Sequence, residues 1–277
     1  MIKRMTLYWK KYLSSNYDIS YAGLRDWLAG LELKASSKKS ISISIAKFMY
    51  TYEMIDYTEY IRIRGLFKSK VESWSDKAMS DEEIVLVFNT IMSFKIDRFY
   101  IIRDMTLFML LFITGMRIGQ LLEIGCDDII FDEDYTIVKI PTSKKDDTKS
   151  LYQSTYTLTI PNDAGFKQIN LRKLLEIYLH LRSSRVPKHS IRFLCTLGGK
   201  EINAENVRSL CRNIDSTKRI TPHRFRHTAI SYAAVNAGIT KAAILANHSS
   251  IETTKRYVQS TMGDISDVFR TTTVDND

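Results

Sequence analysis

The chain has 277 residues, 44% of them apolar and 26% charged, and a formal net charge of +9. That length suits one large domain or two smaller ones with a real core, and 11 glycines and 4 prolines exclude a collagen-like repeat or a wholly disordered chain. The three cysteines, Cys126, Cys195 and Cys211, are odd in number and widely spaced, which argues against a disulfide framework and a cysteine-based zinc site and for a reducing, intracellular setting.

Met1-Ile2-Lys3-Arg4 is basic, but no apolar stretch of a secretory signal follows it, so a cytoplasmic location without membrane contact is expected. The basic excess is concentrated before residue 80, which suggests an anionic partner, nucleic acid first. Residues 1–72 read as a helical domain. Tyr21–Leu33 carries Leu24, Trp27, Leu28 and Leu31 near helical spacing. Ser40–Ile55 follows as a helix, although its first half alternates like a strand. Tyrosines 50, 52, 57 and 60 could stack on bases, and helix packing explains them better. Residues 73–79 read as part of a polar linker.

Ser80-x-x-Glu83 is a capping box, with Asp81 and Glu82 suiting the positive end of a helix, and it opens a second domain at 80–277. Arg98–Ile113 reads as a long buried helix. The apolar run Met105–Met116 within this region is too short to span a bilayer. Gly115 breaks the helix, and a short helix Arg117–Ile124 follows. Ile129–Phe131, Tyr135–Ile140 and Tyr156–Ile160 read as strands, with a polar loop Pro141–Gln153 between the last two. Phe166–Leu181 is amphipathic, and Asn203–Ile214 is a further helix. Thr221 as N-cap, Pro222 at the first helical position and Gly238 after the end bracket a helix from Pro222 to about Ala237. Thr240 is expected to cap a short helix Lys241–Ala246. Ser249-x-x-Glu252 is a second capping box, opening a helix that carries Tyr257.

His223 and Arg226 are three apart on one helix and so face one direction. His227 follows His223 by four, a spacing that can hold a metal. The Glu of the zinc-protease motif is missing, because Arg224 stands after His223, and no metal is expected. A polar helix end with core histidines accounts for His227, but not for a cationic Arg226 and His223 at the mouth of an otherwise apolar helix.

Three segments carry a resemblance. Thr114-Gly115-Met116-Arg117-Ile118-Gly119-Gln120-Leu121-Leu122 resembles the first arginine box of the tyrosine recombinases, the phage integrase family. Thr221-Pro222-His223-Arg224-Phe225-Arg226-His227-Thr228 is similar to the His-x-x-Arg-His box. His248-Ser249-Ser250-Ile251-Glu252-Thr253-Thr254-Lys255-Arg256-Tyr257 resembles the segment that ends in the family's nucleophile. The boxes stand in family order and together cover roughly residues 80–260.

The resemblance implies a mainly α fold with a small antiparallel β-sheet, built as a helical core-binding domain and a catalytic domain. It implies site-specific DNA strand exchange without metal, ATP or other cofactor. Tyr257 would be the nucleophile, and Arg117 and Arg226 would clamp the scissile phosphate. His223 would assist proton transfer at the tyrosine, and His248 would hydrogen-bond a phosphate oxygen. Lys144, with Lys145 and Lys149 as alternatives, would protonate the leaving 5′-oxygen. The implied partners are double-stranded DNA clamped by the two domains, other protomers in a tetramer on that DNA, and accessory DNA-bending proteins. The tail with Met262, Ile265, Val268 and Phe269 at helical spacing would fold back on its own domain or dock on a neighbouring protomer.

Cutting a phosphodiester without metal needs fixed cations at the phosphorus, a nucleophile, a base for its proton and an acid for the leaving oxygen. Two arginines give permanent, fork-shaped charge. A phenol with an ordinary pKa of about 10 must lose its proton during attack. Two departures from the family pattern stand out. Gln120 occupies the position of a carboxylate that would orient and neutralise Arg117, and Ala246-Asn247 replaces Leu-Gly before His248. Asn is the next best residue to Gly in a left-handed cap. A type IB topoisomerase-like strand passer and a DNA-binding protein that has lost cleavage remain as alternatives.

Overall fold

The computed structural model of the chain describes residues 2–67, 78–141, 155–217, 219–247 and 254. It divides into two compact units, Met1–Glu72 and Ser73–Asp277.

The first unit is helical: α1 (Ile2–Leu13), α2 (Tyr21–Gly30), α3 (Ala35–Thr51) and α4 (Tyr57–Arg64). Ser20 caps α2 and Asp56 caps α4 with side-chain oxygens on backbone N–H groups. Its core gathers Trp9, Tyr12, Leu24, Leu28, Ile45, Met49 and Ile63. The strand-like alternation near Ser40 is overridden, because Ile41, Ile45 and Met49 recur every four residues and all three are buried. The tyrosines differ from expectation: Tyr50, Tyr52 and Tyr57 are exposed. Tyr60 is half-buried against the core, as helix packing predicts, and stacks on Tyr50 with ring centres 5.0 Å apart.

The second unit begins with α5 (Asp81–Ser93), opened by the expected capping box, in which Ser80 and Glu83 exchange hydrogen bonds. The long helix α6 (Arg98–Thr114) is buried over most of its last three turns and packs against α8 (Leu171–Arg185) and α10 (Pro222–Ala237). Gly115 ends α6 in the left-handed region at φ 59°, where a side chain would be strained. The short helix α7 (Ile118–Glu123) follows, then a single 3-10 turn at Cys126–Asp128.

Strands β1 (Ile129–Phe131), β2 (Tyr135–Pro141) and β3 (Thr155–Pro161) form one antiparallel sheet in that order. Pro141 lies in β2, opposite Thr155, rather than opening the loop. Residues 165–166 and 169–170 form a second small hairpin, β4 (Gly165–Phe166) with β5 (Ile169–Asn170), turning at Lys167 with φ 52°. This corrects the expected helix from Phe166. The hairpin takes the first residues, and Asn170 caps α8 through its side chain.

Helix α9 (Ala204–Ile214) is capped by Asn203. Helix α10 has Thr221 as N-cap and Pro222 in its first turn. Helix α11 (Ile239–Leu245) starts directly after Gly238 at φ 85°. Thr240 is therefore inside α11 and not its cap, because the left-handed glycine already redirects the chain. Ile230, Ala234, Ala242 and Ala246 pack together, and the small residues let α10 and α11 approach closely. No helix among the described residues is long and apolar enough to cross a membrane.

Candidate active site

The first arginine box sits at the end of the most buried helix. Phe108 of α6 packs on Phe225 of α10 with ring centres 4.9 Å apart, and both rings are fully buried. Each such ring contributes roughly 1.5–3 kcal/mol by leaving water. This packing fixes the end of α6 against the helix that carries the second box. The left-handed turn at Gly115 then directs the chain outward, Met116 returns to the core, and Arg117 emerges exposed as the residue before α7.

Arg226 directly follows Phe225 on α10 and is 4% exposed. Its Nη1 donates to the carbonyl of Gly115, two residues before Arg117. Its Nη2 donates to the carbonyl of Ala246 at 2.7 Å, two residues before His248. One guanidinium thus holds the turn after α6 and the end of α11. Both acceptors are neutral carbonyls, so these bonds orient the cation without cancelling its charge. Asn247 follows in the left-handed region at φ 46°, the role expected of it from sequence.

His223 is exposed on the first turn of α10. Its ring meets that of His227 edge-on, with centres 4.3 Å apart. His227 is 2% exposed, in keeping with a core histidine. Among the described residues no group of three or more His, Cys, Asp or Glu side chains is arranged to hold a metal.

Helix α10 is anchored at its start. Arg224 forms a two-pronged ion pair with Glu83, Nη1 to Oε1 at 2.9 Å and Nη2 to Oε2 at 2.7 Å. Nη2 also donates to the Ala78 carbonyl at 3.1 Å. The hydrogen bonds from Arg224 hold the Glu83 carboxyl below the usual carboxylate range, against the smaller opposing effect of burial. The Met79 N–H donates to Thr228 Oγ1 at 2.8 Å.

Two neighbouring groups complete the site, Gln120, which the sequence marks as a departure from the family pattern, and Tyr156, which it does not mark. Gln120 is 2% exposed. Its Oε1 accepts from the Arg117 N–H at 3.0 Å, and its Nε2 donates to the Pro141 carbonyl at 2.9 Å. Tyr156 on β3 has a buried phenol oxygen with no hydrogen-bond partner among the described residues. Burial raises its pKa, and the positive charges of Arg226 and Arg117 pull it back down. The Gln120 side chain lies close enough to add to that lowering without hydrogen-bond geometry. Both arginines therefore act on one phenol. No motif marks Tyr156, whose only sequence signal is an aromatic in an alternating strand.

Lys144, Lys145 and Lys149, and likewise His248 and Tyr257, lie outside the described residues, as does the tail from Met262 to Phe269. Thr254, three positions before Tyr257, is described, helical and fully buried.

The profile of the phage integrase family matches residues 80–263. A tyrosine recombinase XerC of Leptospira interrogans is 23% identical over 170 residues, covering 61% of this chain and 50% of that protein. The chain thus spans about half the length of that relative. A tyrosine recombinase XerA of Pyrococcus furiosus is 24% identical over 266 residues, covering 94% of this chain and 83% of that protein. Among solved structures, a XerH site-specific recombinase bound to a palindromic difH substrate superposes with a TM-score of 0.70 at 15% identity. That match covers 91% of this chain and 72% of the other, and the likeness is one of fold.

Proposed function

The chain belongs to the phage integrase family, and from that premise we propose that it is a site-specific DNA recombinase that cuts and rejoins strands through a phosphotyrosyl link. Arg117 and Arg226 would contact the nonbridging oxygens of the scissile phosphate and stabilise the charge that builds as phosphorus becomes pentacoordinate. The Tyr257 phenol oxygen attacks phosphorus and loses its proton toward His223. The bond to the 5′-oxygen breaks, and Lys144 supplies the proton that turns this oxygen into a hydroxyl. His248 hydrogen-bonds a phosphate oxygen. The 3′-phosphotyrosine keeps the energy of the broken bond, so the 5′-hydroxyl of a partner strand can reverse the step with no ATP. No step draws on a metal.

The observation that carries this reading is the Arg226 guanidinium, bonded at once to Gly115 in the first box and to Ala246 beside the third. Three segments far apart in the chain meet at one cation, as a shared anion site requires. The +9 charge supports a DNA duplex as substrate, and several protomers would act together on it.

A pool of nicked duplexes of random sequence tests the reading. After cleavage beside the nick the short 5′-hydroxyl fragment diffuses away, and the protein stays trapped on DNA. Wild-type protein should yield covalent complexes enriched in one sequence, and Arg117→Ala should yield none. Sequence-selective binding with no covalent complex would instead identify a DNA-binding protein without cleavage.

A further inference from the structure

Gln120 stands where the family's carboxylate is expected, and its hydrogen bonds explain why an amide serves there. The Arg117 backbone N–H is a donor only, so the atom 3.0 Å from it must be the amide oxygen. The Pro141 carbonyl is an acceptor only, so the atom 2.9 Å from it must be the amide nitrogen. Both ends of the side chain are thereby assigned by their partners, and the whole group is buried.

The two partners belong to different parts of the site. Arg117 is the first arginine of the anion pair. Pro141 ends β2 and pairs with Thr155 at the start of β3, so it lies at the root of the hairpin whose connection contains Lys144. A carboxylate could accept from Arg117 as well as the amide does. Its second oxygen would then face the Pro141 carbonyl, acceptor against acceptor, in a buried site.

We propose that Gln120 is a positioning residue that fixes the first arginine relative to the root of the lysine hairpin, and that the family's carboxylate would impair this chain. The inference rests on the function proposed above. In this chain the link between arginine and hairpin is a donated hydrogen bond rather than charge neutralisation of Arg117. Loss of the link should therefore be felt at the leaving oxygen, which needs a proton, as well as at the phosphate.

The test compares wild type, Gln120→Glu and Gln120→Met in single-turnover formation of the covalent complex on a captured nicked duplex. Each is measured with the ordinary 5′-oxygen and with a 5′-bridging sulfur at the scissile bond. A thiol has a pKa of about 8.5, far below that of an alcohol or water, so the sulfur leaves without a general acid. Both variants should cleave the ordinary duplex about tenfold or more slowly, and the sulfur substrate should restore most of the rate. Gln120→Met removes both hydrogen bonds without adding charge, so it gives a reading if Gln120→Glu folds poorly. Wild-type rates for both variants on the ordinary duplex would overturn the proposal. So would an equal loss on both substrates, which would confine Gln120 to a structural role. No complex from wild type on either substrate would instead overturn the proposed function itself.

Discussion

Nη2 of Arg226 donates to the carbonyl oxygen of Ala246 at 2.7 Å, across 20 positions of sequence. With the bond from Nη1 to Gly115, this makes a buried cation the joint between three segments. Lysine carries the same charge on a single nitrogen and cannot reproduce the fork. Arg226→Lys should strand one of the two buried carbonyls and lower stability by about 1–3 kcal/mol. Covalent complex formation should fall roughly a hundredfold or more. Chemical denaturation and single-turnover cleavage measure the two effects, and wild-type values in both would show that the fork is dispensable.

The ion pair of Glu83 with Arg224 gives a pH signature. The carboxyl's pKa is lowered in the folded state, chiefly by hydrogen bonds from Arg224. Its stabilisation is therefore fully present above the unfolded-state pKa of about 4.3 and is lost as pH falls through the lower folded value. Glu83→Gln keeps an acceptor for the capping box and removes the charge. At pH 7 it should cost about 1 kcal/mol, since both side chains are partly exposed. The gap from wild type should close on acidification, as urea titrations at several pH values would show. A gap that widens in acid would contradict the assignment.

Gly115 has φ 59°, and a Cβ added there would stand 3.3 Å from the Ala229 Cβ. Gly115→Ala should cost about 1–2 kcal/mol from the left-handed backbone alone. Because the Gly115 carbonyl receives Arg226, cleavage should slow even at temperatures where the variant is fully folded. Cleavage at the wild-type rate under those conditions would separate the turn from the site.

Tyr156 should respond in the opposite direction. Its buried phenol oxygen has no hydrogen-bond partner among the described residues, so Tyr156→Phe removes a desolvated polar group without breaking a hydrogen bond. The variant should be as stable as wild type, or more stable by up to about 1 kcal/mol. A loss above that in thermal unfolding would reveal a hydrogen bond that the described residues do not supply.

Much of this arrangement is legible in the residues themselves. Ser80, Thr221 and Asn203 fall at helix starts because their side chains satisfy backbone N–H groups locally, and Gly115 marks its break because only glycine tolerates the turn freely. Such signals need no tertiary context. The hairpin at Gly165–Asn170 was hidden because Phe166 and Ile169 fit the helical spacing of the residues that follow. The exposure of Tyr50, Tyr52 and Tyr57 was hidden because aromatic content does not report which face is covered. At the site, the motif spacing picks out Arg117, His223 and Arg226, while the bonds from Arg226 to two backbone carbonyls and from Gln120 to Pro141 have no sequence signature. They depend on which carbonyls the fold brings near, and backbone carbonyls are the same in every residue.

In the proposed reaction Tyr257 carries the strand. Peptide mapping by mass spectrometry of the covalent complex, after nuclease digestion, tests it directly. A 3′-linked nucleotide phosphate should appear on the peptide containing Tyr257, and Tyr257→Phe should give no complex at all. A nucleotide on another residue, a 5′-phosphate linkage, or an undiminished complex from Tyr257→Phe would contradict it.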